Sequence, residues 1–479
     1  MFAGSRRFAP AFAVFALTAL GPGVGVASAS YPDQHDNQLL TAGQAAVSLA
    51  SGTTTTPGAE CVDGHAAIYP CENVDMASAV MLPALGGATG NDIWGWEDPE
   101  TGREYAMMGT STSTGFVDVT DPANPELIGI LPTRGTPDYV LWHDIKVDGN
   151  YAFIVSEISG SGLQVFDLTR LREAGGSTPT IFDSDATYDE FGYAHNISIN
   201  EQTDTAYVVG SDTCGANGEN GGLHMVDISD PLTPAFAGCA TVDEFAAQDA
   251  EEPNNYSHDV ECVVYDGPDG DYQGREICFS SNENTVAIFD VTDRSNPQVI
   301  STSTYDTAAY THQGALTADK RYFLFNDELD EQTHGVNTTT YILDVSDLDN
   351  PGGPVPYTHE SRTIDHNLYT HGNHVYESNY NQGLRILEYD NESLAAGQLN
   401  EIAYFDVLPG VDYPEFAGTW SNYRFDSGTT VVSTIENEVN GLFVLTPTVT
   451  PTEPAPEPTG PGKGKGDGKG KGCAKKGCV

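Results

Sequence analysis

"WHDIKVDGNYAFIVSEISGSGLQVFDL", residues 142 to 168, decides the fold. Apolar and polar residues alternate through "KVDGNYAFIVSE" across an Asp-Gly-Asn turn, and "GLQVFDL" follows a second turn rich in Gly and Ser. This reads as three short antiparallel strands joined by two turns. A His followed by an Asp heads the first strand. The arrangement recurs as "HNISI" at His195, "HDVEC" at His258, "HQGAL" at His312 and "HNLYT" at His366.

A second signature travels with the His: an apolar strand ending in Asp, then Val or Ile and Thr or Ser. It occurs as "GFVDVTDPANP", "GLQVFDLT", "GLHMVDISDPLTP", "VAIFDVTDRSNP" and "YILDVSDLDNP", with degenerate copies "GLRILEYD" and "GLFVLTP". The aligned positions are Asp118, Asp167, Asp227, Asp290, Asp344, Glu388 and Thr446. Seven copies at roughly fifty-residue spacing leave room for four short strands each, the period of a propeller blade. Helical periodicity is confined to "VDEFAAQDAEE" and "NESLAAGQ". The expectation is an all-β chain, a seven-bladed β-propeller over residues 73–447.

The last repeat supplies three strands, near "WSNYRF", "TTVVSTI" and "GLFVLT", and then dissolves into "PTVTPTEPAPEPTGPG". An unassigned apolar segment, "VDMASAVMLP" at residues 74 to 83, precedes the first repeat. We expect this N-terminal strand to complete the last blade and close the ring, removing exposed sheet edges. Residues 448–479 read as a disordered Pro-rich, then Gly/Lys-rich tail.

The first 29 residues read as a secretory signal: Arg6 and Arg7, the apolar run "FAPAFAVFALTAL", and "ASA" ending at Ala29. Residues 30–72 form an N-terminal segment, and no later stretch has the apolar length of a membrane span. A secreted, extracellular or surface-associated protein is expected. Lys and Arg number 20 against 69 Asp and Glu, a net charge of −49. Such a field repels nucleic acid and anionic membranes. It suits solubility in salty surroundings, or an acidic face that gathers divalent cations.

Eight cysteines in an exported chain point to disulfides. Proximity suggests Cys61–Cys71, Cys214–Cys239, Cys262–Cys278 and Cys473–Cys478. The pair flanking the turn "YDGPDGDYQG" is the best argued, because it would link adjacent strands.

These segments also carry a resemblance. "CVDGHAAIYPCENVDM", "IWGWEDPETGREYAMMGTSTSTGFVDVTDPANP", "WHDIKV" and "DGDYQGREICFSSNENTVAIFDVTD" resemble the choice-of-anchor B family, whose members carry LVIVD-type repeats. The likeness spans about residues 61 to 447. It implies a propeller and an exported, surface-held location, and brings no established reaction.

In a four-stranded meander the start of the innermost strand and the end of the second share one rim. His143, His195, His258, His312 and His366 would all stand there, with Asn91 and Trp420 in the two remaining repeats. Three His-to-Asp intervals are 32 residues each: His195 to Asp227, His258 to Asp290 and His312 to Asp344. Second strands end at the same rim with Glu157, Asp212, Glu283, Asp327, Glu328, Glu377 and Glu436. Imidazole with carboxylate is the ligand set of a divalent transition metal such as zinc, copper, nickel or iron. The other role open to these residues is structural, each His bonding the acid at the turn of its own repeat.

"DGPDGD" at 266 to 271 lacks the closing Glu of an EF-hand loop and reads as a solvated turn. Trp94, Trp96 and Trp142 near the rim suit core packing or stacking on a flat ligand such as a sugar. No serine-hydrolase elbow and no phosphate-cradling loop occurs. The sequence therefore points to a surface scaffold that binds a protein or glycan. The rival reading is a metal-dependent hydrolase or oxidoreductase working at the channel mouth.

Overall fold

Strand pairing sorts the chain into seven sheets, each built on an antiparallel four-stranded meander. This is a seven-bladed β-propeller, seen in a computed structural model that describes residues 55–135, 142–176, 178–215, 221–241, 256–435 and 441–452. The quoted stretch forms three strands of the second blade: His143–Asp148 at the channel, then Tyr151–Ser156 and Leu163–Asp167. Ala186–Tyr188 completes that blade on the outside.

Closure follows the expected route. Val74–Val80 pairs antiparallel with Leu442–Pro447 and supplies the fourth strand of the last blade. The chain upstream adds three further outer strands, one of them the two-residue His65–Ala66 paired with Tyr69–Glu72. Thr55–Ala59 pairs with Val74–Val80, and Tyr69–Glu72 pairs with Asn400–Phe405 of the sixth blade. The N-terminal region therefore spans the seam between the last two blades. Cys61–Cys71 ties it there, at a Cα separation of 6.0 Å.

Apolar residues fill the space between neighbouring blades. Phe116 of the first blade stacks on Phe166 of the second at 4.7 Å, and Phe279 of the fourth on Phe323 of the fifth at 5.5 Å. All four are fully buried, and each contributes about 1.5–3 kcal/mol by leaving water. Cys214–Cys239 and Cys262–Cys278 are bonded, the latter bridging directly paired residues of neighbouring strands in the fourth blade. Cys473 and Cys478 lie outside the described residues, as do the signal segment and most of the tail. "NESLAAGQ" gives the short helix Asn391–Ala395, capped by Asp390. "VDEFAAQDAEE" lies outside the described residues. No helix among the described residues is long and apolar enough to cross a membrane.

The residue after the His position ties the inner strands to one another. Asp92 accepts from the Ile145 N–H at 3.1 Å, and Asp144 accepts from the Ile197 N–H at 2.6 Å. Asn196 donates to the His258 carbonyl at 3.1 Å, and Gln313 accepts from the Leu368 N–H at 2.8 Å. Each bond runs from one blade to the next. An inner strand has no hydrogen-bonded neighbour across the channel, so polar side chains complete its pairing.

Candidate metal centre at the channel mouth

Four of the five histidines form a connected arc. Ring centroids are 4.4 Å apart for His195 and His258, 4.3 Å for His258 and His312, and 4.3 Å for His312 and His366. Trp420 continues the arc 4.3 Å from His366, Trp142 stacks on Trp420 at 4.7 Å, and Trp142 returns to His195 at 6.4 Å. The mouth is thus lined by a closed circuit of aromatic rings. His143 takes no place in that circuit; its Nε2 meets the Thr133 hydroxyl at 2.5 Å, and Trp142 one residue earlier stands at the rim.

Backbone carbonyls of the following blade orient two of the imidazoles. His258 Nδ1 bonds the His312 carbonyl at 2.9 Å, and His366 Nδ1 bonds the Trp420 carbonyl at 2.5 Å. Because a carbonyl only accepts, Nδ1 carries the proton and Nε2 keeps its lone pair. In His366 that lone pair is turned toward Glu328, at 3.5 Å. His312 Nε2 lies 3.7 Å from the other oxygen of the same carboxylate. One ligand atom each from His312, Glu328 and His366 falls within 4.8 Å of the other two, a spacing that one metal ion could bridge.

Burial favours the ligand form of these imidazoles. It pushes His366 down to about 3, aided by the charge of His195 and opposed by the bond to Trp420. His258 and His312 are also held well below the usual range, chiefly by burial and then by neighbouring histidines. His195 differs. Burial works against its proton, but the Glu157 carboxylate at 2.6 Å outweighs burial and raises it. Glu328 is pushed up to about 7 by burial, against the Tyr380 hydroxyl that donates to it at 2.5 Å and the charge of His195.

The other rim acids do different work. Asp212 accepts from the Gly192 N–H at 2.8 Å. Glu283 holds a left-handed backbone, φ 61°, and pairs through its main chain with Thr311 of the next blade. Asp327 is saturated by the Ala309, Tyr310 and Leu329 N–H groups and the Tyr305 hydroxyl. Glu377 faces His359 at 3.3 Å rather than His366. Glu436 lies outside the described residues. Of the pairing of each His with the acid of its own repeat, the structural role weighed from sequence, only His312 comes near, 3.7 Å from Glu328 and beyond hydrogen-bond distance; His195 and His366 reach acids of the preceding blade.

Several residues of the mouth and channel had no sequence signal. Lys146 sits inside the channel, 2.5 Å from Asp144, 3.6 Å from Asp92 and 4.5 Å above the Trp94 ring. Its predecessor in "HDIK" is an ordinary strand residue by pattern. Tyr380 matters only because of where the turn after Ser378 places its hydroxyl. Trp96 is core, 3% exposed, stacked on Tyr105 and donating to the Gly149 carbonyl at 3.1 Å. The Asp269 turn meets Asp347 and Asp349 of the next blade in a largely exposed acidic group.

The LVIVD repeat family matches residues 143–168 and 192–241, covering the His-headed inner strands of the second and third blades. No curated protein matches the chain significantly. Among solved structures, the β-propeller domain of Cps50 (Swd1) from Myceliophteria thermophila is similar over 76% of this chain and 98% of its own, at 12% identity and TM-score 0.46. The periplasmic gluconolactonase PpgL of Pseudomonas aeruginosa is similar over 66% and 85%, at 12% identity and TM-score 0.41. The computationally designed Ika8 protein is similar over 78% and 93%, at 8% identity and TM-score 0.43. The blade count rests on the strand pairing itself.

Proposed function

We propose that the chain is an exported or surface-held binding scaffold whose channel mouth carries a divalent transition metal on His312, Glu328 and His366. One observation carries this reading: two imidazole Nε2 atoms and one carboxylate, on adjacent blades, face a common point. The His366 tautomer is fixed by the Trp420 carbonyl, the kind of outer partner that prepares a metal-binding imidazole. Three protein ligands leave a coordination position free for a donor from outside. The aromatic circuit of His195, His258, Trp142 and Trp420 gives that donor, a protein side chain or a glycan, flat surface to rest on.

The same open position supports a second reading, a metal-dependent hydrolase or oxidoreductase, because catalytic zinc sites also keep one place for water or substrate. Metal analysis of the purified, undialysed chain tests both. About one equivalent of transition metal, lost in His366→Asn, is expected. Metal-free protein that also takes up no zinc or nickel on addition would end both readings.

A further inference from the structure

Two imidazoles of the aromatic circuit stand outside the metal cluster, and their free nitrogens differ in kind. His195 and His258 are 8% and 3% exposed. His195 Nδ1 meets the Glu157 carboxylate at 2.6 Å. A carboxylate only accepts, so Nδ1 carries a proton, and the adjacent negative charge favours a second proton on Nε2. His258 Nδ1 donates to the His312 carbonyl, so its Nε2 keeps a lone pair. Neither Nε2 has a hydrogen-bond partner among the described residues. Two nearly buried polar nitrogens, one a donor and one an acceptor, are thus left for a ligand to satisfy.

Both lie beside the metal cluster. Ring centroids are 4.4 Å apart from His195 to His258 and 4.3 Å from His258 to His312, so donor, acceptor and first metal ligand follow one another along the arc. Trp142, half-buried, flanks His195 on the other side at 6.4 Å and stacks on Trp420. The carboxylates of Glu157 and Glu328 face the same ring of side chains.

We propose that the mouth, resting on the metal site of His312, Glu328 and His366, takes the uronate end of an acidic glycan. The carboxylate lies between the open metal position and His195 Nε2–H, a sugar hydroxyl donates to His258 Nε2, and the sugar ring lies against Trp142. A carboxylate has one oxygen for the ion and a second for a charge-assisted N–H. The His258 lone pair needs an O–H next to that carboxylate, which a sugar acid carries and an Asp or Glu side chain lacks. The flat indole suits the C–H face of a sugar ring. Without the ion, Glu157 and Glu328 repel the same ligand.

The test uses the full chain, with zinc content measured first and calorimetric titration second. Probes are glucuronate, acetate, glucose and a triglutamate peptide, each against zinc-loaded and chelator-stripped protein. Zinc-loaded parent should bind glucuronate about tenfold or more tightly than any other probe, and stripped parent should bind none. His195→Phe should take up zinc and weaken glucuronate and acetate alike, about tenfold or more. Glu157→Gln, which keeps a hydrogen bond to His195 and removes the charge, should do the same and guards against misfolding of the Phe variant. Trp142→Leu should bring glucuronate down to the level of acetate and leave acetate unchanged. Zinc-loaded parent that prefers the peptide, or binds glucuronate no better than acetate or glucose, would overturn the proposal while sparing the metal site. Glucuronate bound equally without zinc would also overturn it. A parent that takes up no zinc would remove the metal site and this proposal together.

Discussion

His366 bonds the main-chain carbonyl of Trp420 through Nδ1 at 2.5 Å, and this one contact both joins the sixth blade to the seventh and aims Nε2 at Glu328. Stapling and ligation are therefore compatible roles of one imidazole, carried by its two nitrogens.

The two roles can be separated by substitution. Asn places an amide N–H near the Nδ1 position and has nothing at Nε2. His366→Asn should keep the bond to Trp420 and lose the metal. His366→Ala should lose both, and should melt lower than the Asn variant by the equivalent of about 1–3 kcal/mol for a buried carbonyl left unmet. Equal melting of the two variants, with and without chelator, would contradict the assignment.

Closure rests on Val74–Val80, whose Val74, Met76 and Ala79 are buried between the last two blades and whose Val80 is buried between the last blade and the first. Deleting residues 74–83 should do more than remove those contacts. It strips Leu442–Pro447 of its partner and leaves an open edge. We expect association on a sizing column and a melting point far below the parent. A monomeric deletion variant melting within a few degrees of the parent would show that the ring closes without this strand.

Cys262–Cys278 closes an interval of 16 residues between directly paired strand positions, with Cα atoms 4.0 Å apart. Loop-closure entropy alone assigns it about 3 kcal/mol. The double Cys→Ala variant should melt lower than the parent under oxidising conditions and match it more closely in reductant. Indistinguishable curves without reductant would remove this bond from the account of stability.

Gly210 lies opposite His195 at the head of the third blade with φ 60°, and a Cβ there would come within 2.4 Å of the His195 Cβ and 2.5 Å of the Tyr256 hydroxyl. Gly210→Ala should therefore displace His195 from Glu157 and lower stability by about 1–3 kcal/mol. The His195 imidazole resonances, followed by NMR through a pH titration, should lose the raised pKa that Glu157 confers. An unchanged titration would refute the contact.

Glu261 lines the channel, half-buried, and accepts from the Leu316 N–H at 2.6 Å. Burial raises it to about 7, against the pull of that N–H and of Lys320. The folded state therefore holds a proton that the unfolded chain releases near pH 4.5. Stability should be highest below that value and fall as pH rises toward about 7. Glu261→Gln keeps the acceptor and removes the charge, so its melting point should decline less than the parent's between pH 5 and pH 8. Parallel decline in both proteins would exclude Glu261 as a source of the slope.

Much of the fold was legible in residues 142 to 168 and their echoes. Alternation fixes strands locally, and the roughly fifty-residue recurrence counts the blades without any knowledge of contacts. The missing fourth strand of the last repeat pointed to 74–83, because an unpaired edge needs a partner. Cysteine proximity anticipated the three disulfides found among the described residues. The added strands Thr55–Ala59 and Tyr69–Glu72 gave no such warning, since a Pro- and Thr-rich segment has no alternating pattern.

What the sequence by itself determined is the position of the five histidines, one at the head of the inner strand in each of five blades. Which way each ring turns was decided only by tertiary structure. Side-chain direction at a strand end depends on local bulges and on the carbonyl that happens to face it from the next blade. His258 and His366 find such carbonyls, whereas His143 turns to Thr133 and yields its place to Trp142. The acids behave likewise: Glu328 and Asp327 are adjacent in the chain, yet one faces two imidazoles while the other is spent on its own loop. Repetition in sequence sets where a side chain begins, and the neighbouring blade decides what it meets.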